Sequence, residues 1–526
     1  MSPVLTRRAG RLVVAVVTAA LALPGVPAEA ATPAEAATPH LAWTDCRDGF
    51  QCSTAQVPLD YARPTGAQVR LALIKLPAPD PAKRLGTLFV NFGGPGASGL
   101  QRLRERGKWP WLFSDELRSR FDVVSWDPRG IGDSTAVRCF DTEADQQAFF
   151  GSFPEMPGDP SGEAPFFAAS KDLAVRCGQN AGSILQHVST ADTARDLDLL
   201  RRAVGDEKLT YHGISYGTYL GAVYANLFPN RIRAMVFDGS MDFAGNATGH
   251  DGTGRTVPLD TRQDVARGIS DTFDQFLRLC TEAGPDCAFS SGDPKAKWTA
   301  IMARAKQGPI TVQGADGPET WTYSGIVNTA GDLSDLRGWP DLANLLQRLY
   351  NAQNTAASTS ATRTSGTSGE QYTSNRTEAF NAIQCTDSDV PTDPAVYSRY
   401  AASEDQRVPY FGRIGALDMM SCAYWPAAAT DRYTGPWNRW TSAPILVLNN
   451  RYDPSTPLHG AQDGAAELAR AKVFVTEGYG HSSMYAPSTC TEQVKRDYLI
   501  SGAFPAPDRT CTLDASPFAT PPAAAG

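Results

Sequence analysis

The pentapeptide Gly213-Ile-Ser-Tyr-Gly217 constrains this chain more than any other feature. It follows Leu209 to Gly213, a short run with strand character. It opens Tyr216 to Leu227, where Tyr219, Leu220, Val223 and Leu227 fall on one helical face. A serine on so sharp a strand-to-helix turn is lifted to the carboxyl end of a sheet. The flanking glycines, with Gly221 one turn later, let strand and helix approach closely. A serine hydroxyl is a weak nucleophile unless a base takes its proton. The turn therefore demands a histidine, an acid to orient it, and N–H donors for an oxyanion.

The chain has six histidines. His40 lies in a low-complexity segment, His187 precedes a helix, and His212 lies in the strand before the serine. His250 opens a long irregular region and His459 starts a helix. His481 sits in the loop Glu477-Gly-Tyr-Gly-His-Ser482, after the strand-like Lys472 to Thr476. Folds with this turn order their residues serine, acid, histidine, so the base comes last and His481 fits. Asp453 directly follows the apolar run Pro444 to Asn449 and is the expected acid; Asp238, at another strand end, is its rival. One oxyanion donor is expected to be the backbone N–H of Tyr216. The other should come from Asn91-Phe-Gly-Gly-Pro-Gly-Ala-Ser-Gly99, with Gly94 favoured and Gly93 the alternative. Pro95 has no N–H to give. The segment Asp127-Pro-Arg-Gly-Ile-Gly-Asp-Ser134 reads as structural support, with Arg129 and Asp127 expected to form an ion pair.

Strand-like runs at 69–76, 87–92, 121–126, 209–213 and 234–238 alternate with helix-like runs such as 191–204. That alternation predicts an α/β fold, a mostly parallel central sheet with helices on both faces. It lapses after Asn246 and resumes near 441. The simplest division is a core of 43–246 and 441–515, split by an inserted cap of 247–440. Within the cap, Gln353 to Thr377 is rich in Ser, Thr and Gly and reads as a mobile loop. Residues 31–42 read as a flexible N-terminal segment and 516–526 as a disordered Ala/Pro-rich tail.

Residues 1–30 read as a signal peptide: Arg7, Arg8 and Arg11, then apolar Leu12 to Leu23, then Ala28-Glu29-Ala30, with cleavage expected before Ala31. The apolar run is shorter than the about 20 residues a membrane span needs. Whether export uses the general or the twin-arginine route stays open. Ten cysteines, an even number, suit an oxidising compartment. Sequence does not decide their pairing; nearest neighbours (46–52, 139–177, 280–287, 385–422, 490–511) are the simplest choice. No CxxC spacing suggests zinc, and no metal or organic cofactor is expected. A net charge of −8 offers no basic footprint for nucleic acid.

Asn91-Phe-Gly-Gly-Pro-Gly96, Ser125-Trp-Asp-Pro-Arg-Gly130, Thr190-Ala-Asp-Thr-Ala-Arg-Asp196, Tyr211-His-Gly-Ile-Ser-Tyr-Gly-Thr218, Ala382-Ile-Gln-Cys385 and the Asp453 and His481 segments resemble, together, one group. It is the tripeptidyl aminopeptidase branch of the prolyl aminopeptidase-type serine peptidases. The resemblance implies the α/β-hydrolase fold, export, and release of short peptides from free amino termini through an acyl-enzyme; a monomer is expected. It also implies an anionic subsite for the substrate ammonium, with Glu378 and Asp387 in the cap as candidates and Thr456 near the pocket. An esterase or lipase-like activity on the same triad is the alternative reading. A catalytically dead binding fold is a third, but it predicts a missing triad or oxyanion element, and none is missing.

Overall fold

The computed structural model describes residues 35–315, 317–352, 375–429 and 431–519. The expected signal peptide, the stretch 353–374 and residues 520–526 lie outside the described residues.

Ten strands form one sheet: β1 (Thr44–Asp45), β2 (Gln51–Pro58), β3 (Gln68–Leu76), β4 (Gly86–Asn91), β5 (Phe121–Asp127), β6 (Leu209–Ile214), β7 (Ile232–Asp238), β10 (Ile445–Tyr452), β11 (Ala471–Tyr479) and β12 (Cys511–Thr512). Two more, β8 (Ile310–Gly314) and β9 (Gly317–Trp321), pair with each other. The large sheet runs β1-β2-β3-β5-β4-β6-β7-β10-β11-β12. β1, β2 and β3 are antiparallel, and from β5 onward every pairing is parallel. Parallel strands need crossover helices that cover both faces, so the central strands are buried on both sides. β4, β6 and the first six residues of β10 are buried at every position.

The sheet carries a separate core on each face. One gathers Phe89, Trp126, Leu197, Leu200, Tyr219 and Val223. The other gathers Leu88, Val90, Ile214, Val236, Leu446 and Tyr498. This two-sided alternation follows from the period of two along each strand.

Between β7 and β10, the described residues add no strand to the large sheet. They are mainly helical and build a third core around Phe276, Trp298, Trp339 and Leu346, which also takes in Phe518. Phe518 is 4% exposed and packs edge-on against Phe276, so this part of the expected disordered tail is anchored. Residues 35–42 have irregular backbone, yet Ala36 and Leu41 pack against the sheet core and Glu35 pairs with Arg202 at 2.8 Å. The end of the expected mobile loop is likewise fixed. Asn375 Nδ2 donates to the carbonyls of Gly130 and Val137, and a helix begins at Arg376.

Five disulfides close, each between cysteines adjacent in sequence order: 46–52, 139–177, 280–287, 385–422 and 490–511. Among the described residues no helix is long and apolar enough to cross a membrane.

The expected Arg129–Asp127 ion pair does not form. Arg129, fully buried, makes a two-pronged contact with Asp196 at 2.6 and 2.7 Å and donates to the carbonyls of Pro58, Leu59 and His187. A planar guanidinium fits this fork of acceptors. Asp127 instead accepts from Ser98 Oγ and from the amides of Leu100 and Asp133, pinning the loops after β4 and β5 together.

Candidate active site

Ser215 stands between β6 and the helix Tyr216–Leu227, with φ 57° and ψ −126°. A positive φ on a non-glycine residue is strained and persists only where the surroundings enforce it. Here the enforcement is visible. The Ser215 amide donates to the carbonyl of Asp238 at 2.9 Å, and its carbonyl accepts the Thr218 amide at 2.8 Å. A Cβ on Gly213 would lie 2.3 Å from the Gly217 carbonyl oxygen, and one on Gly217 would lie 2.6 Å from that of Asn91. The turn closes only because both residues lack side chains.

Asp453 and His481 come from the loops after β10 and β11, neighbouring parallel strands whose carboxyl ends lie together. His481 Nδ1 is 2.9 Å from both carboxylate oxygens of Asp453. The same carboxylate accepts the amides of Ser455, Thr456 and Ser482 at 2.8–3.0 Å. Four donors on one buried carboxylate fix the ring's tautomer: Nδ1 carries the proton toward Asp453, leaving Nε2 free as a base. Burial pulls the His481 pKa down, but the charge of Asp453 and its hydrogen bond more than offset this, and the pKa lies above the usual histidine value. The His481 amide donates to Ser334 in the inserted region at 2.9 Å, so that region helps hold the base loop.

The loop after β4 lies directly against Ser215. A Cβ on Gly93 would sit 2.9 Å from Ser215 Cβ and 3.0 Å from the Tyr216 nitrogen. The Gly93 amide is taken by Asn91 Oδ1 at 3.0 Å. The amides of Gly94 and Tyr216 donate to no protein acceptor among the described residues, the state expected of oxyanion donors.

Tyr216 is anchored from its other end. Its hydroxyl donates to Asp387 Oδ2 at 2.5 Å and also meets Thr190 Oγ1. Asp387 further accepts the Thr190 amide at 2.9 Å and the Thr190 hydroxyl. Burial pushes the Asp387 carboxyl up to about 6, against these hydrogen bonds. At 1% exposure, Asp387 is an anchor for the elbow and not an open anionic subsite. Glu378 is 2% exposed, and Gln146 donates to it at 2.7 Å; burial raises its pKa. The structure brings neither acid into the open, because the helix Arg376–Asp387 is buried along most of its length. Thr456 lies beside the triad: its Oγ1 is 3.3 Å from His481 Nδ1 while its amide serves Asp453.

Sequence reasoning set Asp238 aside as a rival acid and His212 as a strand residue. The two pair at 3.1 Å, on adjacent strands where Asp238 stands opposite Ile214, two positions beyond His212. Among the described residues one group could hold a metal ion. Asp242, His250 and Glu467 bring ligand atoms within 4.8 Å of one another. His250 Nε2 is already 2.8 Å from Asp242, and Glu467 accepts the Ala244 amide.

Residues 87–281 match the family model for the alpha/beta hydrolase fold, and residues 408–511 match that of the TAP-like proteins. The chain has the α/β-hydrolase fold. It is 29% identical over 503 residues to the tripeptidyl aminopeptidase of Streptomyces coelicolor, across 90% of its own length and 86% of the relative's. It is 29% identical over 505 residues to the serine protease Hip1 of Mycobacterium tuberculosis, across 89% and 90% of the two chains. It is also 29% identical over 508 residues to carboxylesterase B of that organism, across 89% of each.

Proposed function

We propose that this chain is an exported serine exopeptidase that releases short peptides from free amino termini. One observation carries the choice of an end-cutting enzyme. The helix Arg376–Asp387 lies on the oxyanion loop so closely that a Cβ on Gly96 would sit 2.6 Å from the Arg376 carbonyl oxygen and 3.2 Å from the Phe380 nitrogen. That close approach narrows the space beside the oxyanion loop, which supports entry of a peptide end over passage of a chain running through. The named relatives include a tripeptidyl aminopeptidase and a serine protease, which supports peptides as substrates. Five disulfides support an oxidising destination.

In this reading His481 Nε2 removes the Ser215 proton as Oγ attacks the scissile carbonyl. Asp453 holds the ring and stabilises the imidazolium. The amides of Gly94 and Tyr216 receive the oxyanion, where prealigned donors contribute about 3–4 kcal/mol each. His481 then protonates the leaving amine, and water, deprotonated by the same ring, releases the acyl peptide. Ester hydrolysis is the second reading, favoured by the equal similarity to a carboxylesterase.

The test pairs a chromogenic tripeptide amide bearing a free amino terminus with its N-acetylated form and a short-chain nitrophenyl ester. Rapid cleavage of the free form over the acetylated one supports the exopeptidase. Ester cleavage alone refutes it in favour of the esterase. Activity that survives Ser215→Ala refutes both.

A further inference from the structure

The nucleophile turn and the base loop are more than 260 residues apart in sequence, and one residue touches both. Asp238 ends β7. Its carbonyl oxygen accepts the Ser215 amide at 2.9 Å. Its carboxylate accepts the amide of Ser483 at 2.8 Å and the Ser483 hydroxyl as well. Ser483 lies two residues beyond His481. The next residue, Gly239, lies against the ring: a Cβ there would be 3.1 Å from His481 Cε1 and 3.0 Å from Ser482 Cβ.

On its other side Asp238 Oδ2 is 3.1 Å from His212 Nε2. His212 Nδ1 is buried without a partner, so the single proton of the ring sits on Nε2, where Asp238 accepts it. Burial keeps His212 below the usual histidine range, and therefore neutral. Burial pushes Asp238 up, but His212, Lys495 and Ser483 outweigh it, and the carboxylate stays ionised. Asp238 is 1% exposed and His212 0%. An asparagine could still accept the Ser483 amide on its oxygen, but its nitrogen would set a second donor against the Nε2–H of His212, so the three donors call for a carboxylate, although burying a charge is costly.

We propose that Asp238 is a positioning residue outside the triad: it holds the His481 loop against the Ser215 turn and presents a second carboxylate to the imidazolium that forms during proton transfer. The proposal rests on the Ser215–Asp453–His481 reading. The charged and titratable groups that act on Asp238 or on its partner His212 are His212 itself from β6, Lys495 and Glu492 from the helix Thr489–Ser501, and His481 from its loop. Lys495 and Glu492 pair with each other at 2.7 Å. Against burial, which lowers the His481 pKa, Asp238 adds to Asp453 in raising it.

The experiment is the pH profile of nitrophenyl ester hydrolysis by the parent and by Asp238→Asn. Loss of position is expected to lower kcat about 10- to 100-fold, with KM near parental. Loss of a negative charge facing His481 lets the ring deprotonate at lower pH. The acidic limb of kcat/KM therefore moves down. A residue that only stabilises the fold would lower the melting temperature and leave the limb in place. His212→Gln keeps a donor toward Asp238 and removes no charge, so its limb is expected to stay put. Ser483→Ala keeps the charge and cuts one tie, so kcat falls while the limb holds; it decides the matter if Asp238→Asn does not fold. A parental limb in folded Asp238→Asn, or parental kcat in Ser483→Ala, overturns the proposal. Ser215→Ala is run alongside: residual activity there sinks the triad reading itself, and Asp238's role with it.

Discussion

Gly93→Ala tests the oxyanion assignment without touching a group that reacts. Gly93 has φ 76°, where an alanine costs about 1–2 kcal/mol against glycine. Its new methyl would stand 2.3 Å from the Ile214 carbonyl oxygen, 2.9 Å from Ser215 Cβ and 3.0 Å from the Tyr216 nitrogen. Moving that methyl back to 3.0 Å from Ile214 requires roughly 0.7 Å of displacement. Oxyanion donors act only within about 2.7–3.1 Å of the developing charge. The loop and the turn would part by more than that window, and Gly94 moves with its neighbour. Losing one donor costs about 10²–10³ in kcat. KM should change little, because the donors act on the transition state more than on the bound substrate. Steady-state kinetics on the ester and the tripeptide amide measure this, with circular dichroism and a melting curve to establish that the variant is folded. A folded Gly93→Ala enzyme with kcat within fivefold of the parent would refute the reasoning, because the loop could then move without consequence for the charge.

Asp453→Asn removes the acceptor that sets the His481 tautomer, and kcat should fall about 10⁴-fold at neutral pH, read by the same assay. In the parent enzyme the base must be neutral, and its pKa is raised, so kcat/KM should fall as pH drops through a value above the ordinary histidine range of about 6.5; an acidic limb below that range would contradict the Asp453 contact. Arg129→Met leaves Asp196 buried without its partner and should cost about 3–5 kcal/mol in urea unfolding, with kcat of the folded fraction retained. Replacing Cys139 and Cys177 by alanine opens a loop with a sequence separation of 38 and should cost about 4 kcal/mol on the chain-entropy account; a loss under about 1 kcal/mol would show that the unfolded chain is little constrained by it.

The turn at Ser215 was legible because it is a local problem. Strand, glycine, serine, glycine and helix are contiguous, and their steric demands act within five residues. Strand-end positions and chain order then selected Asp453 and His481, since parallel strands bring their carboxyl ends together whatever lies between. The long strands β3 to β7, β10 and β11 were legible for the same reason: each is a short run of alternating or continuous apolar character, a pattern read within the segment itself. The two-residue strands β1 and β12 carry no periodicity, and β2 mixes Gln, Ser and Thr into its run, so only pairing defines them.

Charge partners were not legible, because they depend on which loops meet. Arg129 and Asp127 are two residues apart, yet the fold turns Arg129 toward Asp196 on a helix behind the sheet. Asp387 and Glu378 were candidates for an open anionic subsite, and helix packing buried both. Sequence by itself determined the fold class, and it picked out the serine turn and the acid and base whose loops the fold brings together. Only the tertiary structure decided where each buried carboxylate finds its donors, because a buried charge is held by whatever distant backbone the fold brings within hydrogen-bonding reach. Asp238, joined to Ser215, His212 and Ser483 at once, is the plainest case.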